Sequence, residues 1–196
     1  MSKQQELLNQ IKQNIDEYCD TYFDFSFNPE KPVVRLHEPT SSGDEVFAAV
    51  DTMLSTFTTM GKKVRAFENQ YAQYAGTKHG VMSNSGSSAN LLSVAALANP
   101  FTKDYLKPGD EVIVPALSWS TTIWPLIQHN LVPVIVDCDL DSFNLDLDKL
   151  EKAIGPKTRA IKLVHVYGNP CNMDAIMALA KKHHLFIIED CCEAMG

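Results

Sequence analysis

A run of small polar residues that could bind an anion lies in the middle of the chain. Residues 83–90 read SNSGSSAN and lead directly into an apolar helical stretch. A helix start presents unpaired N–H groups and the positive end of its dipole, so Gly86 would let the backbone approach a phosphate, and Ser87 and Ser88 would add hydroxyl donors. The run lacks the lysine of a Walker A loop and is not GxGxxG. A turn that only caps a helix is an equally good interpretation.

Two further candidates follow apolar runs. Trp119, in PALSWSTT, could stack on a flat aromatic ligand, although a core or interface role is the alternative. Asp190 ends the run LFIIED, where a carboxylate is costly unless a cation or several donors face it. A protonated ring nitrogen would be such a partner, and capping of the following turn is the alternative. Ser118 is expected to cap a helix, and His165 and Tyr167 are expected at one rim.

These candidates follow a regular alternation of strands and helices that begins near residue 80. The predicted strands are Gly80–Ser83, Glu111–Pro115, Val132–Asp137, Arg159–His165 and Leu185–Asp190. Helices are predicted at about 87–98, 119–129, 146–154 and 172–183. Continuous apolar strands joined by helical crossovers predict a parallel sheet covered on both faces, a three-layer α/β/α sandwich. Ligands of such sheets bind beyond the carboxyl ends of the strands, where the candidates lie.

The N-terminal part of the sequence predicts three amphipathic helices. The first is a helical arm with a linker over 1–34. Its aromatic cluster either packs on a partner subunit or covers the protein's own core, and consists of Tyr18, Tyr22, Phe23, Phe25 and Phe27. The second opens at Ser42 with Glu45 three residues later, a capping box. The third ends at Gly76. Residues 35–196 form the second expected region, which contains the sheet.

Composition excludes several classes of function. The chain has 17 Lys+Arg and 24 Asp+Glu, a formal charge of −7, which argues against nucleic-acid binding and anionic membranes. No apolar run is long enough for a membrane span, and no signal layout opens the sequence, so a cytoplasmic protein is expected. Five irregularly spaced cysteines indicate free, mostly buried thiols, and no metal site is expected.

Taken together, five segments resemble the DegT/DnrJ/StrS group of pyridoxal-phosphate sugar aminotransferases, which have fold type I. They are, in order, SNSGSSANLL, GDEVIVPALSWSTT, PVIVDCDLDSFNLD, VHVYGNPCNMD and IIEDCCEAMG. The likeness covers about residues 35–196. Within the group, SWSTT, the GNP turn and the ending EDCCEAMG are most similar to the RfbH-like branch of CDP-4-keto-6-deoxy-D-glucose 3-dehydrases.

The resemblance implies a role for each candidate. Gly86, Ser87 and Ser88 would hold the phosphate of pyridoxal or pyridoxamine 5'-phosphate, Trp119 would stack on its ring, and Asp190 would bind the ring nitrogen. Glu193 matches a further cofactor-site position. A protonated ring nitrogen makes the ring an electron sink. The catalytic residue is a Schiff-base lysine, or the histidine that replaces it in dehydrases, and the resemblance implies that it lies beyond Gly196. Lys162, within a strand, and Lys181 and Lys182, at the polar end of a helix, are not candidates for the Schiff base.

The resemblance also implies a function. The expected parent enzyme is a 3-dehydrase acting on a CDP-4-keto-6-deoxyhexose in lipopolysaccharide O-antigen biosynthesis, and a glutamate-dependent nucleotide-sugar aminotransferase is the alternative. A homodimer of the full-length enzyme is expected, with a reductase partner if it is a dehydrase. Some dehydrases also carry a 2Fe-2S cluster, which would lie only in the C-terminal part beyond Gly196. The 196 residues are expected to be an N-terminal part of the large domain, inactive alone.

Two functions from other classes of protein stay open as alternatives. One is a non-catalytic α/β scaffold that keeps a remnant phosphate pocket. The other is an NAD-dependent oxidoreductase, which is weakened by the absence of a glycine-rich fingerprint after the first strand.

Overall fold

The computed structural model describes residues 1–35 and 40–195. The chain forms two compact units, residues 1–80 and 81–196. The division expected after residue 34 stays a prediction. Among the described residues, no helix is long and apolar enough to span a membrane.

The first unit contains the three predicted helices, which are α1 (Lys3–Tyr22), α2 (Gly43–Leu54) and α3 (Lys62–Tyr74). The capping box is confirmed, since the Ser42 hydroxyl accepts the Asp44 N–H and the Glu45 carboxylate accepts the Ser42 N–H. α1 packs against α2. After α3 the chain turns at Gly76, whose φ of +65° suits glycine.

The second unit alternates helices with strands, as predicted. Its elements in chain order are α4 (Gly86–Leu97), β1 (Glu111–Pro115), α5 (Trp124–Gln128), β2 (Val132–Val136), α6 (Leu147–Ala153), β3 (Thr158–Val164), α7 (Met173–His183) and β4 (Phe186–Asp190). The strands form one parallel sheet in the order β2-β1-β3-β4. The expected parallel α/β architecture is therefore confirmed.

The two faces of this sheet are covered by different helices. Val112 and Val114 of β1 pack in one core with Val94 of α4 and Leu126 of α5. Ile113, between them, packs in a second core with residues of α6 and α7, namely Leu150 and Ile176. Because side chains alternate along a strand, β1, β3 and β4 contribute to both cores, whereas the edge strand β2 contributes to the second core only. The three layers follow from this alternation.

Two predicted elements are wrong. Residues 80–83 lie outside the sheet, and Val81 and Met82 are exposed. Apolar residues form a strand only where a neighbouring strand supplies a ladder and burial.

The single helix expected over 119–129 is instead a 3₁₀ turn at Ser120–Thr122 followed by α5. Pro125 is the second residue of α5, and a proline lacks the N–H that would continue an α-helix from upstream. Ser118 caps neither piece, because its hydroxyl donates to the Pro115 carbonyl.

The cysteines of the chain are free, but they are not mostly buried. Cys19 and Cys171 are buried, Cys138 is half-buried, and Cys191 and Cys192 are exposed. The exposed pair follows β4 directly, where the backbone leaves the sheet.

Candidate functional site

The amino end of α4 presents N–H groups that could bind an anion. Its N-cap is Ser85, whose hydroxyl accepts the Ser88 N–H at 3.2 Å. Among the described residues, no acceptor forms a hydrogen bond with the N–H group of Gly86 or of Ser87 in this first turn. A Cβ at Gly86 would meet no atom within 4 Å, so the space beside these N–H groups is open. Free amides at the positive end of a twelve-residue helix suit a phosphate.

Asp190 ends β4 on the sheet face that α4 covers. Its carboxylate accepts a hydrogen bond from the Asn90 amide at 2.9 Å and one from the Cys192 N–H at 3.1 Å. Asn90 lies four residues after Gly86, so both are on one side of α4, about 6 Å apart along its axis. The helix whose first turn has free N–H groups therefore also holds the Asp190 carboxylate.

Lys162 lies on the same face, in the middle of β3. It is opposite Ile188 in the parallel register, two residues before Asp190. The side chain is fully buried, and its Nζ donates to the Thr122 carbonyl at 3.1 Å. Burial lowers the pKa of Lys162 to about 8, and the negative charge of Asp190 acts in the opposite direction. The Lys162 ammonium therefore lies on the same face of the sheet as the Asp190 carboxylate and contacts the turn that follows β1.

Trp119 lies at the start of that turn. Its carbonyl accepts the Thr122 N–H at 2.9 Å, and the turn Ser120–Thr122 packs against α4. The Trp119 side chain is 72% exposed and makes no ring contact with the described residues. The structure thus brings the Trp119 turn beside α4 and leaves the indole available to a ligand.

Glu193 lies beyond β4 and hydrogen-bonds to the turn at Tyr167. Its carboxylate accepts the Tyr167 N–H at 2.5 Å. Tyr167 has a φ of +56°, so this bond holds an uncommon backbone conformation. The cofactor role expected of Glu193 stays a prediction.

His165 does not share a rim with Tyr167, contrary to expectation. His165 is buried, whereas Tyr167 is 74% exposed. The imidazole Nδ1 accepts the Cys171 N–H at 3.0 Å, so Nε2 carries the proton that faces Glu189 at 3.3 Å. By strand alternation His165 and Glu189 lie on the face opposite Asp190.

Sequence reasoning missed two residues of this constellation. Asn90 is recognisable only by its position one helical turn after Gly86. Lys162 is the single charge within the strand run AIKLV, and an unexplained charge in a buried strand is a usable signal. That signal led only to its exclusion as a Schiff-base lysine.

Comparison with known proteins identifies relatives of the chain. A family model described as the DegT/DnrJ/EryC1/StrS aminotransferase family matches residues 40–196. The chain is 51% identical over 143 residues to a GDP-4-keto-6-deoxy-D-mannose 3-dehydratase of Yersinia pseudotuberculosis, covering 72% of the chain and 36% of the relative. It is 36% identical to the lipopolysaccharide biosynthesis protein RfbH of Salmonella typhimurium, covering 96% of the chain and 44% of the relative.

Solved structures give the same family. An E. coli GDP-4-keto-6-deoxy-D-mannose-3-dehydratase with bound hydrated PLP superposes with a TM-score of 0.78 at 42% identity, covering 84% of the chain and 42% of that structure. The chain therefore spans less than half the length of these relatives.

Proposed function

Because the chain belongs to the DegT/DnrJ/EryC1/StrS aminotransferase family, we propose that it forms the cofactor-binding part of a pyridoxal- or pyridoxamine-phosphate-dependent enzyme. The reaction we assign to the whole protein is 3-dehydration of a nucleotide-linked 4-keto-6-deoxyhexose. The observation that carries the proposal is that one helix, α4, both presents free N–H groups and holds the Asp190 carboxylate.

The donors and acceptors of the site fit such a cofactor. The free N–H groups of Gly86 and Ser87, with the hydroxyls of Ser87 and Ser88, would bind the phosphate. Asp190 accepts one hydrogen bond on each oxygen and has lone pairs left for a ring N–H. Trp119 would stack on the ring. Glu193 would act at the rim by holding the turn at Tyr167.

The residues of this chain then have defined tasks in the reaction. When bound, the cofactor supplies an electron sink next to the reacting carbon. Asp190 keeps a proton on the ring nitrogen, and Asn90 fixes the orientation of that carboxylate. Trp119 shields one side of the ring from water. The group that moves the substrate proton is proposed to lie outside these 196 residues.

Similarity to named dehydratases supports dehydration rather than transamination as the reaction. The Yersinia and E. coli proteins that the chain resembles are both named 3-dehydratases. Their names specify GDP, whereas the similarity to the RfbH-like branch led us to expect CDP, so we propose the sugar class and leave CDP as a prediction. Transamination is the second candidate, supported by the description of the family.

The setting of the enzyme is also a proposal. We assign it to the cytoplasm as a homodimer, with lipopolysaccharide O-antigen synthesis as its context. If the enzyme is a dehydrase, we also propose a reductase partner, and a 2Fe-2S cluster would lie only in the C-terminal part of the enzyme outside these 196 residues. The RfbH similarity supports the lipopolysaccharide assignment.

Two measurements test the proposal. In the first, the protein is titrated with pyridoxal 5'-phosphate and, in parallel, with pyridoxal, which lacks the phosphate. We expect an absorbance change that saturates with the phosphorylated form at a much lower concentration. Equal affinity for the two forms would contradict the phosphate seat at α4.

The second measurement follows the sugar. A GDP-linked and a CDP-linked 4-keto-6-deoxyhexose are incubated with the full-length enzyme that contains these residues, pyridoxamine phosphate and glutamate, and the masses of the products are measured by mass spectrometry. Loss of the 3-hydroxyl supports dehydration. Replacement of the 4-keto oxygen by an amino group means that the protein is an aminotransferase.

A further inference from the structure

Lys162 is a buried cation that the proposed reaction does not use. By alternation with Ala160 it projects into the core formed with α4 and α5, beside Val114 and Ile188. An ammonium in an apolar layer costs free energy unless a partner compensates it. The buried Lys162 ammonium therefore needs partners that offset the cost of its burial.

The compensation comes from two parts of the site. Nζ donates to the Thr122 carbonyl at 3.1 Å, and the N–H of Thr122 donates to the Trp119 carbonyl. The ammonium also attracts the Asp190 carboxylate, which lies on the same face of the neighbouring strand. Lys162 thus connects the Trp119 turn with the residue assigned to the ring nitrogen.

We propose that Lys162 is a positioning residue of the cofactor site, whose buried ammonium holds the Trp119 turn in place through Thr122 and is kept charged by the carboxylate of Asp190 on the same face of the sheet. This inference rests on the proposed function. A hydrogen bond from a charged donor is about twice as strong as one from a neutral donor, so loss of the proton from Lys162 would loosen the turn. Trp119 would then cover the ring less well.

Asp190 is the charged group that acts on Lys162 among the described residues. The other elements around it present uncharged side chains: Val114 on β1, Val94 on α4 and Thr122 on the turn after β1. The protonation of Lys162 is consequently governed by burial and by one carboxylate.

The sequence contains an internal probe of this link. Its two tryptophans are Trp119 and Trp124, and they flank Thr122. Intrinsic fluorescence therefore reports on the turn that Lys162 supports. The experiment is a titration of this emission from pH 7 to pH 10, without cofactor, in the wild type and in Lys162→Met. Lys149→Met is the matched control, because Lys149 is a half-exposed lysine paired with Asp137.

We expect a transition near pH 8 in the wild type and in Lys149→Met, and none in Lys162→Met. A transition that persists in Lys162→Met, or a flat wild-type curve, would overturn the inference. Emission of Lys162→Met that equals the wild-type emission at pH 7 would also overturn it, because the lysine would then only fill space.

A second variant keeps the test decisive if Lys162→Met fails to fold. Asp190→Asn removes the negative charge that favours the protonated lysine, so its transition should move to lower pH. An unchanged midpoint would overturn the link to Asp190. Since no cofactor is present, this result is separate from the proposed function, which fails if the wild type does not bind pyridoxal 5'-phosphate.

Cofactor affinity supplies a further readout. In Lys162→Met the dissociation constant for pyridoxal 5'-phosphate should rise about tenfold, the order expected for a lost hydrogen bond from a charged group. Unchanged affinity in a folded variant would contradict the positioning role.

Discussion

Replacing Lys162 with methionine tests the cost of the buried charge. Burial lowers the pKa of Lys162 from 10.5 to about 8. The unfolded chain exposes the amine to water, so it keeps its proton up to about pH 10, whereas the folded chain releases it near pH 8. Between these values the unfolded state binds more protons. The free energy of unfolding of the wild type should therefore rise with pH across this window.

The size of the effect follows from the pKa difference. A pKa lowered from 10.5 to about 8 corresponds to about 3 kcal/mol of proton-binding free energy. The methionine variant avoids this cost but loses the hydrogen bond to Thr122, worth about 1–3 kcal/mol. At pH 7 we expect the variant to be as stable as the wild type or more stable. Its advantage should fall by about 3 kcal/mol by pH 10.

The assay is urea unfolding at pH 7, 8, 9 and 10, followed by tryptophan fluorescence. Both tryptophans lie in the unit formed by residues 81–196, so the signal reports on the sheet that contains Lys162. A stability difference between wild type and variant that does not change with pH would refute the reasoning. A stability advantage of Lys162→Met that grows as the pH rises would also refute it.

Three further substitutions test the framework of the site by urea unfolding at pH 7. Ser85→Ala removes the N-cap of α4 and should cost about 1 kcal/mol; no loss would mean that the cap is dispensable. Leu126→Ala opens a cavity at a fully buried position and should cost about 2–5 kcal/mol; a loss below 1 kcal/mol would contradict this packing. Gly168→Ala should cost about 1–3 kcal/mol, because φ is +78° and the new Cβ would lie 3.0 Å from the Glu193 carbonyl oxygen. Gly86→Ala is its control and should leave stability unchanged, since nothing lies within 4 Å.

Much of the second unit could be predicted from sequence. β1 was predicted with its exact ends, and β2, β3 and β4 to within one residue, because each strand is a largely continuous apolar run in the sequence. The expected burial on both faces does not hold for the edge strand β2, where Ile135 is exposed. The same rule failed at residues 80–83, where the run is apolar but exposed. Whether such a run joins a sheet depends on a neighbouring strand, which local sequence does not encode.

The site was predictable to the extent that it lies at strand ends. Asp190 and Trp119 could be selected as candidates because the carboxyl ends of parallel strands meet at one edge. Asn90 was not found, because its bond to Asp190 joins residues 100 positions apart and depends on how α4 packs. The role of Lys162 likewise depends on the register of β3 against β4 and on the fold of the turn at Thr122.

The most direct test of the central claim compares two adjacent carboxylates on β4. The protein is titrated with pyridoxal 5'-phosphate by absorbance as wild type, as Asp190→Asn and as Glu189→Gln. Glu189 faces His165 on the opposite side of the sheet, so Glu189→Gln should bind like the wild type. Asp190→Asn should bind at least about tenfold more weakly, because the charged partner of the ring nitrogen is lost. Equal affinity in Asp190→Asn and wild type, or equal losses in both variants, would contradict the assignment of this site.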